Sequence, residues 1–222
     1  MKKKILIIAM SVIILAMTIA SATTAYFIDT DSATNVFTVG KVEIDLNETC
    51  TDYTGKAIEP DASGVYDFGR LYPGQNYTKI ANIKNVGTES AYLAAKITLT
   101  SKKLDALFLN ADGSVNETAL RSFLLGLVTT ENNGYIVSFD AVANTDNTII
   151  VRVIMTAATV NGDNFDLMTA VHVDPAWNND TMDNLSDLNI LVEAFGVQTV
   201  GFVSAEEAIT TAFNTDFPAS NP

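Results

Sequence analysis

Apolar and polar positions alternate with a period of two along much of the chain after residue 40. The first such run places Val42, Ile44 and Leu46 on one face, with charged residues between them. This alternation is typical of a strand with one buried face. The same reasoning predicts further strands at 65–72, 77–86, 91–99, 134–142, 148–158 and 188–194. The β-branched run at 148–158 is predicted to be a central strand.

Turn sequences separate these strands, and two helices interrupt them. In Tyr72-Pro73-Gly74-Gln75, proline presets a turn and glycine follows it. Ser114 with Glu117, and Ser204 with Glu207, match the capping box that opens a helix. The pattern therefore predicts a mainly β protein: an antiparallel β-sandwich, jelly-roll-like, with two short amphipathic helices that cover it.

The N-terminus has the opposite pattern, an unbroken apolar run. Lys2 to Lys4 precede the run from Ile5 to Ala20, and small residues follow it. A basic start, an apolar middle and a small-residue exit indicate a secretory signal peptide. The run also approaches the roughly 20 residues of a membrane-spanning helix, so an uncleaved signal anchor is the alternative.

The predicted organisation therefore has four parts. Residues 1–25 form the signal peptide and 26–40 an extended N-terminal segment, while 41–215 form one sandwich domain and 216–222 a C-terminal tail. Removing the signal peptide leaves 197 residues, enough for one large β domain. The mature protein is expected to be secreted, without attachment to the membrane after cleavage.

The charge balance limits the classes of partner. The formal net charge is −13, and it becomes −16 when Lys2, Lys3 and Lys4 leave with the signal peptide. Nucleic acid and anionic membranes would repel such a surface. Cys50 is the only cysteine, so no intramolecular disulfide forms, and its polar neighbours predict a thiol in a loop.

Catalytic motifs are absent from the sequence. His172 is the only histidine, whereas a zinc peptidase motif needs two on one helix. Its place in a short apolar run favours a structural side chain. A nucleophilic pair of Cys50 with His172 has no local sequence signature to support it. We therefore expect a protein that is not an enzyme.

Calcium is the one cofactor that the acidic loops suggest. Hard oxygen ligands at this density suit Ca²⁺ at extracellular concentrations, although their spacing matches no defined calcium loop. Hydrated loops and helix caps are the favoured interpretation. The weak candidate ligands are Asp112, Asp174, Asp180 and Asp183.

The residues around the cleavage site carry a family resemblance. The sequence Thr24-Ala25-Tyr26-Phe27-Ile28-Asp29, followed by Asn35-Val36-Phe37-Thr38-Val39-Gly40, resembles the start of the TasA/camelysin family of secreted bacterial proteins. Leu71-Tyr72-Pro73-Gly74 and the stretch ending in Gln198 are similar to that family's internal turn and closing strand. The resemblance places signal cleavage between Ala25 and Tyr26.

The resemblance implies a structural protein of the cell surface or biofilm matrix. It implies processing by a SipW-type signal peptidase, and self-assembly into fibres beside other matrix proteins. In such fibres the N-terminal segment of one copy completes a sheet of the next, a form of β-augmentation. Phe27, Val36, Phe37 and Val39 are the expected pocket-filling residues of that strand.

Three alternatives stay open at this point. The N-terminal segment could instead fold back as an edge strand of its own copy. A camelysin-like surface metallopeptidase is the alternative enzyme, although the sequence has no zinc motif. A monomeric, calcium-stabilised adhesion module is the third possibility.

Overall fold

The computed structural model describes residues 41–62, 66–129, 134–142, 147–185 and 187–219. These residues belong to one compact unit, Gly40–Pro222. The predicted signal peptide and N-terminal segment lie outside the described residues.

The described part of the chain contains ten strands, and every pairing between them is antiparallel. They are β1 (Ile44–Thr51), β2 (Ala57–Ile58), β3 (Asn76–Asn85), β4 (Ala91–Thr100), β5 (Leu124–Leu125), β6 (Tyr135–Ala141), β7 (Thr148–Met155), β8 (Asn164–Asp166), β9 (Ala170–His172) and β10 (Asn189–Gln198).

Two antiparallel sheets form a β-sandwich. The first sheet has the order β2-β1-β3-β9-β5, and β8 also pairs with β3. The second sheet has the order β10-β4-β7-β6. Alternate residues of both sheets, such as Ala81 and Ile83 of β3 and Leu93 and Ile97 of β4, are buried in one hydrophobic core.

Four short helices lie among the described residues. They are α1 (Asp105–Phe108), α2 (Glu117–Phe123), α3 (Asn179–Asn184) and α4 (Ala205–Ala212). Helix α4 covers the outer face of the second sheet, where its Ile209 packs in a small cluster with Ala94 and Phe217. Asp216, at the start of the predicted tail, forms an ion pair with Lys96 at 2.6 Å.

The strand predictions are largely confirmed, with one exception. The structure has strands within or close to all the predicted ranges except 65–72, and β7 is central because it pairs with β4 and β6. Residues 66–73 form a loop instead. Tyr66 and Phe68 alternate with Asp67 and Gly69 as in a strand. Phe68 and Leu71 pack against the core, but without strand pairing.

Both predicted helices are present, although one begins with a different cap. Ser204 caps α4 as expected, and its hydroxyl accepts a hydrogen bond from the Glu207 amide at 3.1 Å. The cap of α2 is Asn116 rather than Ser114, because the Ser114 hydroxyl donates to Asp112 at 2.6 Å. Helices α1 and α3 were not predicted, since four to six residues show no helical periodicity.

A candidate binding cleft at the sheet edges

The residues assigned to signal cleavage and to the assembly strand lie outside the described residues. These are Ala25, Tyr26, Phe27, Val36, Phe37 and Val39. Their roles stay predictions.

Three of the four calcium candidates make local contacts. Asp112 accepts hydrogen bonds from the Ser114 hydroxyl and amide, which hold the pKa of its carboxyl below the usual value. Asp174 accepts from the Ala176 amide at 2.7 Å, and Asp183 pairs with Lys102 at 2.6 Å. Asp180 lies in the first turn of α3. The described residues contain no group of three or more acidic, histidine or cysteine side chains placed to hold a metal ion.

Cys50 and His172 lie on different strands of the first sheet, with β3 between them. His172 Nδ1 is 2.6 Å from Asn76 Oδ1. The prediction of a loop thiol is wrong, because Cys50 lies in β1 with 3% of its surface exposed. Burial raises the pKa of its thiol to about 11, although Lys79 partly opposes this. A nucleophilic cysteine needs a lowered pKa, so this environment favours an inert thiol.

A cleft lies between the first sheet and the outer edge of β10 in the second sheet. Its volume is about 1110 Å³, and its lining includes Glu48 of β1, Tyr77 and Lys79 of β3, and residues 189–192 of β10. We call this feature the edge cleft. Within the described residues β10 pairs only with β4. Among the described residues, the outer edge of β10 therefore has backbone N–H and C=O groups beside the cleft that no strand pairs with.

A buried ion pair forms the floor of the edge cleft. Lys79 Nζ lies 2.6 Å from Glu48 Oε1, and the Lys79 side chain is only 1% exposed. The same ammonium lies 5.3 Å from the centre of the Tyr66 ring, close enough for a cation–π interaction. The floor is thus polar at positions where the strand pattern points side chains into the core.

The loop at 66–73 forms one wall of the edge cleft. The Tyr77 hydroxyl fixes it, accepting a hydrogen bond from the Tyr72 amide at 2.8 Å and donating one to the Arg70 carbonyl at 3.1 Å. Phe68 meets the Tyr77 ring edge-on at 6.2 Å between centroids. Burial raises the pKa of the Tyr77 hydroxyl, so it stays protonated and can donate at neutral pH.

The opposite end of β1 is closed. Residues 41–43 lie against the turn after β3, where the Val86 amide donates to the Glu43 carbonyl and the Thr88 amide to the Lys41 carbonyl, both at 2.9 Å. We call this the exit end, because residues 1–40 join the domain here. Glu48 in the edge cleft lies four positions after Ile44 at this end, about 13 Å along the strand.

Three exposed valines lie in loops joined to the exit end. Val160, Val200 and Val203 are 55%, 73% and 92% exposed. The Asn161 side chain donates to the Gly87 carbonyl at 2.8 Å, and the Thr199 amide donates to the Ser90 carbonyl at 3.2 Å. Both loops are therefore bonded to the segment that follows β3. Single exposed apolar residues such as these are ordinary on a protein surface.

Sequence reasoning missed the edge cleft, although one signal of it was present. On the inward face of β1, Leu46 is followed by Glu48 and Cys50, and on β3 Tyr77 is followed by Lys79. A charged residue at an inward position of two paired strands is unusual for a sandwich core. The cleft itself depends on the loop at 66–73 and on β10, which are distant in the sequence.

Within the described residues no helix has the length and apolar character needed to cross a membrane. No protein-family model, no curated protein and no solved structure matches this chain.

Proposed function

We propose that the protein is a secreted structural subunit of the cell surface or matrix, and that its copies assemble by strand exchange. In this assembly the N-terminal segment 26–40 of one copy occupies the edge cleft of the next. The observation that carries the proposal is the outer edge of β10, which pairs with no other strand of the described residues and lies beside a cleft of about 1110 Å³. An extended peptide adds to such an edge through its backbone, and its side chains fill the adjacent pockets.

The positions of the two ends allow copies to join head to tail. The segment leaves each copy at the exit end, while the edge cleft opens further along β1. An interface between two different surfaces is heterologous, and repetition of it gives an open filament unless the rotation closes a ring. The sequence resemblance to the TasA/camelysin family points to the same kind of assembly.

Signal cleavage would act as the switch in this mechanism. Before cleavage, residues 26–40 are tied to the apolar segment from Ile5 to Ala22. Cleavage between Ala25 and Tyr26, by a SipW-type signal peptidase, frees the segment to pair with another copy. A precursor that cannot be cleaved is therefore expected to stay unassembled.

The direct test compares mature protein, residues 26–222, with a variant that lacks residues 26–38. We expect sedimentable filaments in negative-stain images of the mature protein and none for the deletion variant. A variant with residues 26–38 in scrambled order is the matched control for length and composition. Filaments that survive the deletion unchanged would rule out strand exchange.

Mixing two defective variants separates exchange between copies from folding back within one copy. The deletion variant keeps its cleft, whereas an Ile190→Asp variant keeps its segment but has a charged cleft. Their mixture should give heterodimers that do not grow further. If the segment folds back on its own copy, the mixture stays monomeric in size-exclusion chromatography.

The proposal is of a protein that is not an enzyme and that works without a bound metal. Casein hydrolysis by the mature protein, measured with and without a chelator and in His172→Ala, tests this directly. Proteolysis that the chelator and the substitution both abolish would establish a metallopeptidase instead. A large rise in melting temperature with Ca²⁺, without filaments, would favour the adhesion module.

A further inference from the structure

The buried ammonium of Lys79 has fewer partners than it has donors. It carries three N–H donors, and the described residues supply one oxygen, Glu48 Oε1 at 2.6 Å, together with the face of the Tyr66 ring. A buried ammonium is costly unless its hydrogen bonds are made. Since Lys79 lines the edge cleft, an occupant of the cleft is placed to supply a further acceptor.

The acceptor that the floor requires is uncharged. Glu48 already neutralises Lys79, and the described lining holds five carboxylates against two cationic side chains, Arg70 and Lys79. Lys102, outside the lining, pairs with one of these carboxylates, Asp183. A further carboxylate in the cleft would therefore meet net repulsion. A neutral amide fits both partners of the ion pair, since its oxygen accepts from an ammonium and its NH₂ group donates to a carboxylate.

The N-terminal segment contains one amide side chain, Asn35, and an extended strand would place two apolar residues on the same face. In an extended strand alternate residues share a face, so Asn35 lies on the same face as Phe37 and Val39. In an extended strand, Asn35 to Val39 would span about 13 Å, slightly more than the roughly 10 Å of the β10 edge at 189–192 that lines the cleft. Asp29 and Asp31 share this face, but they precede Asn35 by at least four residues.

The apolar part of the cleft suits the two residues that follow Asn35. Leu188, Ile190 and Val192 line it from the side of β10, and Val171 lines it from β9. Phe37 and Val39 offer more apolar surface than Val36, the one apolar residue on the opposite face between 34 and 38. Hydrophobic burial and the polar floor therefore select the same face of the segment.

We infer that Asn35 of one copy forms hydrogen bonds with both Lys79 and Glu48 of the next copy, while Phe37 and Val39 fill the apolar part of that edge cleft. The Asn35 side-chain oxygen accepts from Lys79 Nζ, and its NH₂ group donates to the Glu48 carboxylate. The inference rests on the proposed strand exchange. It goes beyond that exchange in one respect: the Lys79–Glu48 pair determines which residue of the segment binds at the floor of the cleft.

The short connection to the domain adds a geometric consequence. Val39 precedes Lys41 by two residues, about 7 Å of extended chain. With Val39 in the neighbouring cleft, the exit end of one copy lies against the cleft mouth of the next. The exposed Val160, Val200 and Val203 then lie close to this junction.

The test is a thermodynamic cycle on the critical concentration for polymerisation, measured by sedimentation of mature protein. Asn35→Leu removes the amide at nearly constant size, and Glu48→Leu with Lys79→Met makes the floor apolar. We expect each change alone to raise the critical concentration at least tenfold. Combined, they should restore it to within about threefold of wild type, because an apolar residue then meets an apolar floor.

Two matched controls accompany the cycle. Thr34→Val and Thr38→Val change the opposite face at nearly constant size, and they should move the critical concentration less than twofold. Circular dichroism melts of each variant establish that its monomer folds. If the apolar floor unfolds the domain, Glu48→Gln serves instead, because it leaves the Lys79 charge without its carboxylate. Asn35→Asp should then raise the critical concentration at least tenfold in wild type but less than about threefold beside Glu48→Gln, and equal effects in the two backgrounds would overturn the inference.

The possible outcomes separate the inference from the proposed function. If wild type forms filaments but the effects of Asn35→Leu and of the apolar floor on the critical concentration simply add, the proposed role of Asn35 is wrong. Strand exchange would still stand. Larger losses from Thr34→Val and Thr38→Val than from Asn35→Leu would show that the opposite face enters. A wild-type protein without filaments would remove the proposed function itself.

Discussion

The two ends of β1 show how one strand can carry two different kinds of packing. At the exit end, backbone hydrogen bonds and two glycines bring neighbouring segments into close contact, and Ile44 packs against β10 at Gly196. At the edge cleft, the same inward face presents Glu48 and Cys50 beside Lys79. Close packing stabilises the exit end. The cleft end instead has a charged pair at positions where a core usually has apolar residues.

The closed end depends most strongly on Gly87. A Cβ placed there would lie 2.6 Å from the Glu43 amide nitrogen and closer still to the Lys41 carbonyl oxygen. Both are backbone atoms that cannot rotate away, so we expect Gly87→Ala to lower the free energy of unfolding by more than about 3 kcal/mol. Urea denaturation followed by circular dichroism measures this.

Gly55→Ala is the control for the Gly87 prediction. Gly55 has a φ of +84°, and a Cβ there meets nothing within 4 Å, so only backbone strain opposes the substitution. We expect a loss of about 1 kcal/mol. Equal losses in the two variants would show that the close approach at Gly87 is unimportant.

At the open end, Lys79→Met should lower the free energy of unfolding by about 2–3 kcal/mol. Removal of one partner leaves the Glu48 carboxylate without its counter-charge in a partly buried site. The loss is smaller than for a fully buried pair, since Glu48 can still meet water in the cleft. Thermal and urea denaturation of the variant supply the value.

The double variant Glu48→Leu with Lys79→Met sharpens the comparison between the ends. Replacing both partners by apolar residues is expected to recover most of the stability. Recovery would show that the ion pair is kept for a reason other than folding. A double variant less stable than Lys79→Met alone would show that the pair supports the domain itself.

Gly196 gives a smaller effect at the closed end. Its Cβ would lie 2.7 Å from Ile44 Cγ2, a side-chain atom that can move. We expect Gly196→Ala to cost about 1–2 kcal/mol. Ile44→Leu removes the β-branched methyl group, so the cost of Gly196→Ala should fall in that background; an unchanged cost would contradict this contact as its cause.

The smallest effect concerns the pH dependence that Cys50 contributes. Burial raises the pKa of its thiol from 9.0 to about 11, so the folded state resists ionisation that the unfolded chain permits. This contribution is complete below pH 9 and falls away between pH 9 and 11, by about 1 kcal/mol at pH 10. The free energy of unfolding, measured at pH 8 and at pH 10, should fall by this amount more in wild type than in Cys50→Ala. Equal losses in the two proteins would contradict the prediction.

The sequence was sufficient to predict most of the sandwich because its strands alternate regularly. The pattern at 91–99 predicts β4 almost to its ends, since one face is in the core and the other is buried or half-buried. The strands β2, β5, β8 and β9 are two or three residues long, too short for a period to be visible. Their pairing is fixed by tertiary contacts rather than by local preference.

The candidate site was less predictable because its residues come together only in the fold. The loop at 66–73 alternates like a strand, yet the Tyr77 hydroxyl holds it as a wall. Glu48 and Lys79 are 31 residues apart, and only the register between β1 and β3 brings them together. A charged residue at an inward strand position was the one local sign, and it indicates a polar site without locating the cleft.

The burial of Cys50 gives this protein a natural reporter of motion at its sheet edge. The chain has a single cysteine, and it lies on the inward face of β1 with its thiol shielded from solvent. A thiol reagent can react only when β1 opens, so the labelling rate measures that opening in an unmodified protein. A strand bound along this edge in a filament would slow the labelling. The ratio of the labelling rates in filament and monomer would then measure how strongly the neighbouring subunit stabilises β1.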